Sequence, residues 1–485
     1  MALRRRAILS LGMTIRHGIF GIKLWTLAGA CTAALVWEAP VSRAESWSLV
    51  SPGGQVKVSV RLTGAAGGAG GALSFRIEQG PEGGRALVLG DSPLGLKLQR
   101  EDFTEGLQFD SAQAEKTVEE HYAMPHGKRR LCRNQAKQIV LSFRNRDGQP
   151  LELELRAYDD GVAFRYRLPG PAGKAQTLES EATGFALPRD AKLWCAPSDK
   201  ATLYSPAYET YYENEMPAGM ASPLGVGWSF PLLFRTADSR HWALITEANL
   251  DSSFCASRLC NTPSNGVYRV ALPNSGEGNG QGSIQPSSAL PWELPWRVVI
   301  VGSSPATMVE STLVADVSAP SRLEGKDTSW IRPGRVAWSW WSDNPSPKDA
   351  SKQCRFVDLA AEMGWEYVLV DANWDIMESG NIHDVLRYAK DKGVGVLLWY
   401  NSGGPHNRVT EKPRDCLTYP SVRKFELNLL RQWGVKGIKV DFFQSDKQDV
   451  IRLYRSILQD AAEQQIMINF HAARCRAAGS GLIRT

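Results

Sequence analysis

Two periodicities divide this chain. From Trp47 to about Leu313, apolar and polar residues alternate in short runs such as QVKVSVRL, QIVLSFRN, LELELRAY and VAFRYRLP, bounded by Gly, Pro, Asn or Asp. Side chains alternate faces along an extended chain, so each run predicts a strand with one buried face. RNRDGQPLELEL predicts a hairpin turning at Asp147-Gly148. Strands at this density predict a large β-sandwich. The glycine-rich runs GAAGGAGGA (Gly64 to Ala72) and NSGEGNGQG (Asn274 to Gly282) read as loop tips without packing value.

After Asp327 the pattern changes. GRVAWSWW, EYVLVDANW, GVGVLLWYN, GIKVDFF and IMINFH are dense in apolar residues, as strands buried in a parallel sheet are. Helical stretches separate them near Lys348 to Met363, Ile382 to Lys392, Ser421 to Trp433 and Lys447 to Gln464, the third with Phe425, Leu429, Leu430 and Trp433 as its buried stripe. Strand–helix alternation with aromatics at the strand ends predicts a (β/α)8 TIM barrel. Only roughly 140 residues carry it, where a full barrel takes about 250. The expected organisation is multidomain β plus α/β: an N-terminal β-sandwich over residues 45–320, then an incomplete barrel of about five strands over 321–471. Two unpaired sheet edges would make the barrel part poorly soluble or chaperone-dependent.

Within that barrel, GVKGIKVDFFQSD (Gly434 to Asp446) sets Lys439 and Asp441 two residues apart on one strand, hence on one face. The carboxyl ends of such strands carry the ligands. A carboxylate there, kept ionised by an adjacent cation, suits a nucleophile attacking a sugar's anomeric carbon; the structural alternative is an Asp that ends a strand and caps the next helix. Asp371 ends the second strand, either to bind sugar hydroxyls or to cap a helix. Indole faces stack on pyranose rings, which makes Trp340, Trp374 and Trp399 candidates for lining the pocket, with Trp338 on the face of Trp340 and Trp341 opposite. His471 ends the fifth strand, where it contacts substrate or serves the structure.

A length of 485 residues leaves room for two or three domains, and a net charge of +5 from dispersed basic residues gives no footprint for nucleic acid. Arg16 and Lys23 precede an apolar stretch from Leu24 to Trp37, with Ser42 and Ala44 at a cleavage point. Residues 1–44 therefore read as an export signal for a secreted or periplasmic protein, and no later segment predicts a membrane span. In an oxidising compartment Cys255 and Cys260 either pair across a turn or remain small buried thiols.

The succession of a sandwich, then SWIRPGRVAWSWW, VLVDANWD, VLLWYNS, GIKVDFF and INFH, resembles glycoside hydrolase family 97. LELELRAYDDGVAFRYRLP and PLLFRTADSRHWALITEANL are similar to that family's N-terminal domain, so the resemblance runs from about Ser46 to His471. It implies a calcium-dependent, exo-acting α-glycosidase whose partner is an oligosaccharide or α-glycoside. Asp441 matches the nucleophile of retaining α-galactosidases; inverting α-glucosidases use a glutamate on the next strand, which here reads Ile468-Asn469-Phe470-His471. The resemblance thus implies the retaining α-galactosidase type, with an inverting α-glucosidase or a non-catalytic carbohydrate-binding protein as alternatives. Lys439 resembles the sugar-contacting lysine of related barrels. Glu209, in PAYETYYENE, resembles the carboxylate that the N-terminal domain sends to calcium, with Glu213 in reserve. The general acid and remaining calcium ligands of the family lie beyond the fifth strand, where no residue here is assignable, so a truncated and inactive chain is expected.

Residues 472–485, AARCRAAGSGLIRT, do not read as a strand-to-helix loop. Back-translated with one G restored in front, they can be read in the shifted frame as Gly-Cys-Thr-Leu-Pro-Arg-Gly-Trp-Ile-Arg-Thr-Tyr-Pro-Asn, which resembles the family's continuation. A one-base frameshift at this point is the expectation. Nucleotide sequencing across the His471 codon is expected to restore that frame, and an intact frame with a genuine downstream stop would reject it.

Overall fold

The computed structural model describes residues 45–64, 70–124 and 127–471. The expected export signal, the middle of the first glycine-rich run and the 472–485 tail lie outside the described residues. Strands Glu45–Val50, Val56–Gly64, Gly71–Gln79 and Ala86–Leu94 form an antiparallel sheet in sequence order. Val56, Val58 and Val60 point inward with Leu73, Phe75 and Ile77, while the residues between them are partly exposed. This sheet covers a larger antiparallel one that includes Leu131–Arg144, Pro150–Tyr158, Gly161–Leu168 and Trp296–Gly302. Phe75 meets Phe164 across the interface at 4.8 Å between ring centroids. The hairpin expected at Asp147-Gly148 forms, with Gly148 at a φ of 74° that a side chain would resist.

A buried ion cluster fastens the sandwich. Arg297 donates through Nε and Nη2 to the two oxygens of Glu181 at 2.9 and 2.6 Å, and through Nη1 to Glu247 at 2.7 Å and Ser257 Oγ at 2.8 Å. Burial opposes the cation, but the two carboxylates outweigh it and raise the arginine's pKa. Cys255 and Cys260 are free thiols and do not pair; Cys255 is buried, and Cys260 Sγ accepts the Arg269 N–H at 3.3 Å.

In the second domain β1 (Val336–Trp338), β2 (Tyr367–Val370), β3 (Gly395–Asn401), β4 (Gly437–Asp441) and β5 (Met467–Phe470) form a parallel sheet in sequence order. Helices α1 (Ala350–Glu362), α2 (Ile382–Asp391), α3 (Pro420–Trp433) and α4 (Gln448–Glu463) follow the first four strands, where helical periodicity placed them. Their ends have local causes. Asp349 caps α1 by accepting the Lys352 N–H, Asn381 and Asp384 make a reciprocal capping box on α2, and Gly434 at φ 84° ends α3. The buried stripe of α3 is Arg423, Leu427 and Leu430. Phe425 was expected on that stripe but faces outward, because it lies between the buried positions of the helical turn. Among the described residues no helix is long and apolar enough to cross a membrane.

Replacing Arg297 with Met would leave two buried carboxylates uncompensated. A loss of about 3–5 kcal/mol in urea unfolding at neutral pH is expected; a loss below about 1 kcal/mol would mean that the cluster is hydrated.

Candidate active site

The parallel register assembles the site. Asn401 pairs with Asp441 and Trp399 with Lys439 across β3 and β4, while the His471 N–H donates to the Val440 carbonyl at 2.9 Å. Adjacent strands therefore bring Trp399, Lys439, Asp441 and His471 together at their carboxyl ends. Asp441, only 4% exposed, is held on both oxygens. Oδ1 accepts the Phe442 N–H at 2.8 Å, and Oδ2 accepts the Trp399 indole N–H at 3.1 Å. His471 Nδ1 stands 2.9 Å and Lys439 Nζ 3.8 Å from the same Oδ2. Burial pushes this carboxyl's pKa up, but the hydrogen bond and charge of His471, then Lys439 and Trp399, outweigh it and hold the pKa below the usual range.

Lys439 also donates to Asp371 Oδ2 at 2.9 Å, and its ammonium lies 4.5 Å from the Trp338 ring centroid. The Trp338 indole donates to the same Asp371 oxygen at 2.7 Å, while Oδ1 accepts the Ala372 N–H. Asp371 thus joins the site as the counter-charge of Lys439. It caps no helix by side-chain bonding, for the short 3-10 turn Trp374–Ile376 after it has no side-chain cap.

His471 bridges the two domains. Its Nε2 lies 3.1 Å from Glu209 Oε1 while Nδ1 faces Asp441. Ionised carboxylates only accept, so both ring nitrogens are satisfied together only in the imidazolium. The hydrogen bond that His471 donates to Asp441 raises its pKa, against the opposing effect of burial. Glu213 begins the exposed strand Glu213–Pro217 of the N-terminal domain.

The tryptophans divide differently from the expectation. Trp374, 5% exposed, donates its N–H to the Trp399 carbonyl at 2.8 Å and packs edgewise on Tyr400. It is core rather than pocket wall, because the chain turns after Asp371 and packs the ring against Tyr400 of β3. Trp399, 1% exposed, presents no free ring face and enters the site through its N–H. Trp340 is exposed and stacks on Trp338 at 6.0 Å. Trp341, 80% exposed, also lies against Trp338, at 5.6 Å. The strand stops at Trp338, so face alternation no longer separates the next two indoles.

Calcium takes six to eight oxygen ligands. Beside Glu209 the structure sets the nitrogen of His471, and among the described residues no group of three or more His, Cys, Asp and Glu side chains is arranged to hold a metal. The described residues thus supply Glu209 as one candidate ligand and not a full calcium cage, and here Glu209 pairs with His471.

Sequence reading missed the clamp on the loop after Asp441. Glu277, in the run read as a tip without packing value, is 1% exposed and pairs with Arg258, and its Oε2 accepts the Asp446 N–H at 2.9 Å. Tyr208 donates to Asp446 Oδ1 at 2.9 Å, and Asn407 to the Phe442 carbonyl at 2.8 Å. The one visible signal was a carboxylate, Glu277, set among residues otherwise suited to a solvated turn.

Residues 49–320 match the glycosyl-hydrolase 97 N-terminal domain, and residues 330–485 match glycoside hydrolase 97. The chain is 33% identical over 416 residues to a "Probable retaining alpha-galactosidase" of Streptomyces bingchenggensis (strain BCW-1), across 83% of this chain and 59% of that protein. It is 25% identical over 482 residues to the retaining alpha-galactosidase of Bacteroides thetaiotaomicron, across 91% and 66%. The chain thus spans less than two thirds of the length of these curated relatives. A crystal structure of beta-arabinopyranosidase superposes with a TM-score of 0.83 at 32% identity, over 90% of this chain and 68% of that one. A glycoside hydrolase family 97 enzyme from Pseudoalteromonas sp. strain K8, in complex with panose, shares the fold at a TM-score of 0.70 and 20% identity, over 87% and 66%.

The pairing of His471 carries a signed pH dependence. A raised folded-state pKa gives stability that is full below the unfolded value of 6.5 and is lost as pH rises through the folded value. NMR titration is expected to place His471 above 6.5, and Asp441→Asn to lower it. An unchanged value in that variant would show that the ring is not paired with Asp441.

Proposed function

Because this chain belongs to glycoside hydrolase family 97, we propose that it is an exo-acting α-glycoside hydrolase of the retaining α-galactosidase type with Asp441 as nucleophile. The observation that carries this is one buried carboxylate at the end of β4, held ionised by Lys439, His471 and Trp399. The fifth strand, where an inverting enzyme would need a base, offers His471 instead, already bonded to Asp441. Two relatives named as retaining alpha-galactosidases support the choice.

On this reading an Asp441 oxygen attacks C1 from the face opposite the leaving oxygen. The C1–O bond breaks with its electron pair going to that oxygen, and a β-glycosyl ester forms, which water then opens. Lys439 and His471 keep the nucleophile deprotonated. The first step also needs a carboxyl group, about 5 Å from the nucleophile, to protonate the leaving oxygen. Among the described residues, the carboxylates joined to Asp441 through one partner are Asp371, already bonded to Lys439 and Trp338, and Glu209, paired with His471. Neither is free to act as that acid. With neither carboxylate available, no turnover on ordinary glycosides is expected from the described residues. Calcium enters this proposal only as an ion for which Glu209 would be one ligand, and secretion or periplasmic residence only through the leader-like residues 1–44.

The beta-arabinopyranosidase likeness favours one refinement of substrate. β-L-Arabinopyranose has the ring configuration of α-D-galactose without its C6 group, so one site can accept both sugars.

The test uses a leaving group that needs no proton. Incubation of the purified chain with 5-fluoro-α-D-galactosyl fluoride is expected to release fluoride and leave a glycosyl adduct on the Asp441 peptide by mass spectrometry, absent in Asp441→Asn. A folded chain that takes no adduct at Asp441 would overturn the assignment. Faster labelling by the gluco-configured probe would move it to an α-glucosidase, and by the arabino-configured probe to an arabinopyranosidase. Hydrolysis of an aryl α-galactoside by the same chain would disprove the expected lack of turnover.

A further inference from the structure

The segment between Asp441 and Asp446 is strained. Phe442 and Gln444 hold φ at 64° and 54°, in the left-handed region that non-glycine residues avoid at a cost of about 1–3 kcal/mol each. Such strain persists only where surrounding contacts over-determine the backbone. Phe442 is held within its own domain by Asn407, which donates to its carbonyl at 2.8 Å, and by the Trp399 ring, whereas the contacts on Gln444 to Asp446 come mainly from the N-terminal domain. The Gln444 carbonyl accepts the Gly278 N–H at 2.9 Å, and its side chain donates to the Leu203 carbonyl at 2.7 Å. A Cβ on Gly278 would meet Ser445 at 3.3 Å, so glycine permits this approach.

Asp446 is the centre of the clamp, and it is 1% exposed. Its N–H donates to Glu277 Oε2 at 2.9 Å, and its carbonyl accepts the Ala256 N–H at 2.9 Å. Oδ1 accepts the Tyr208 hydroxyl, and Oδ2 lies 3.5 Å from Arg258 Nη2, which also pairs with Glu277. Lys447 then donates to the carbonyls of Ser275, Glu277 and Gln281 at 2.9, 2.8 and 2.7 Å. Charges removed from water are costly unless fully paired, so this arrangement tolerates little displacement.

We propose that Asp446 is a positioning residue, through which the N-terminal domain fixes the rotamer of Asp441. The link is the Phe442 amide, which begins the clamped segment and donates to Asp441 Oδ1 at 2.8 Å. A peptide held at its far end cannot swing away from the carboxylate, so Oδ2 stays aimed at Trp399 and His471. The sandwich is then part of the catalytic geometry as well as a support for the barrel. The inference deepens the nucleophile assignment of Asp441 and rests on it for its kinetic consequence.

Two variants test it in the 485-residue chain. Asp446→Asn keeps the shape and removes the charge; Tyr208→Phe removes a single hydroxyl from a partly exposed loop and decides the matter if the first variant fails to fold. With 5-fluoro-α-D-galactosyl fluoride, the saturating rate of Asp441 labelling is expected to fall about 10- to 100-fold in Asp446→Asn, and less in Tyr208→Phe, at an unchanged half-saturating concentration. An independent reading is the Trp399 indole N–H resonance, assigned by its absence in Trp399→Phe. It is expected to move upfield in both variants as its bond to Asp441 lengthens. Unchanged labelling rate and unchanged indole shift in a folded variant would overturn the proposal. A shifted indole in a chain whose wild type takes no label would uphold the clamp and refute the glycosidase reading instead.

Discussion

A carboxylate withdrawn from water stays ionised only if other groups replace its hydration, and the site is organised around meeting that condition for Asp441. The replacements come from separate parts of the fold. Trp399 arrives on β3, Lys439 on β4 itself, His471 at the end of β5, and the Phe442 amide from the loop that follows. Only a parallel register brings strand ends from distant stretches of sequence to one level. The sheet's topology and the ionisation of the carboxylate at its end are therefore one constraint. Asp371 extends it by neutralising Lys439, so that the cation is itself paired when buried.

The two domains meet where the constraint is tightest. Glu209 reaches the outer nitrogen of His471, while Glu277, Arg258 and Tyr208 hold the loop beyond Asp441. One contact set acts on the partner of Asp441 and the other on the backbone that follows it. Such residues conform poorly to the usual division between a catalytic barrel and an accessory sandwich. The loop beyond Asp441 carries two left-handed non-glycine residues, Phe442 and Gln444, and such strain persists only where contacts on both sides hold it.

Legibility in the sequence followed the range of the interaction. The strands and helices of both domains could be read because periods of two and 3.6 are local, and Lys439 with Asp441 because alternation along one strand suffices to place them together. Trp340 and Trp341 could not be separated correctly, since the strand ends at Trp338 and the period ends with it. Trp374 failed for a related reason: it sits in a turn whose path, not its pattern, buries it. Glu277 was invisible because its partners lie far along the chain, and a Gly-rich surrounding has the composition of a solvated tip whether or not another domain covers it. The pairing of Glu209 with His471 is equally non-local. Their types suggested chemistry, but only the packed domains show that each serves the other.

The depressed pKa of Asp441 has consequences for both halves of the reaction proposed for it. Three donors and a nearby ammonium reduce the basicity of the carboxylate and hence its intrinsic nucleophilicity. Confinement at C1 compensates, since a prepositioned oxygen gains far more from proximity than it loses in basicity. In the second half the same carboxylate must depart from the sugar, and the groups that weaken it as a base stabilise it as a leaving group. The indole N–H and imidazolium at Oδ2 strengthen as charge returns to that oxygen, which favours the transition state of deglycosylation over the ester. A carboxylate with an unperturbed pKa would attack somewhat more readily and leave less readily. The network around Asp441 thus suits a nucleophile that must be regenerated, and a residue serving only to cap a helix would have no need of it.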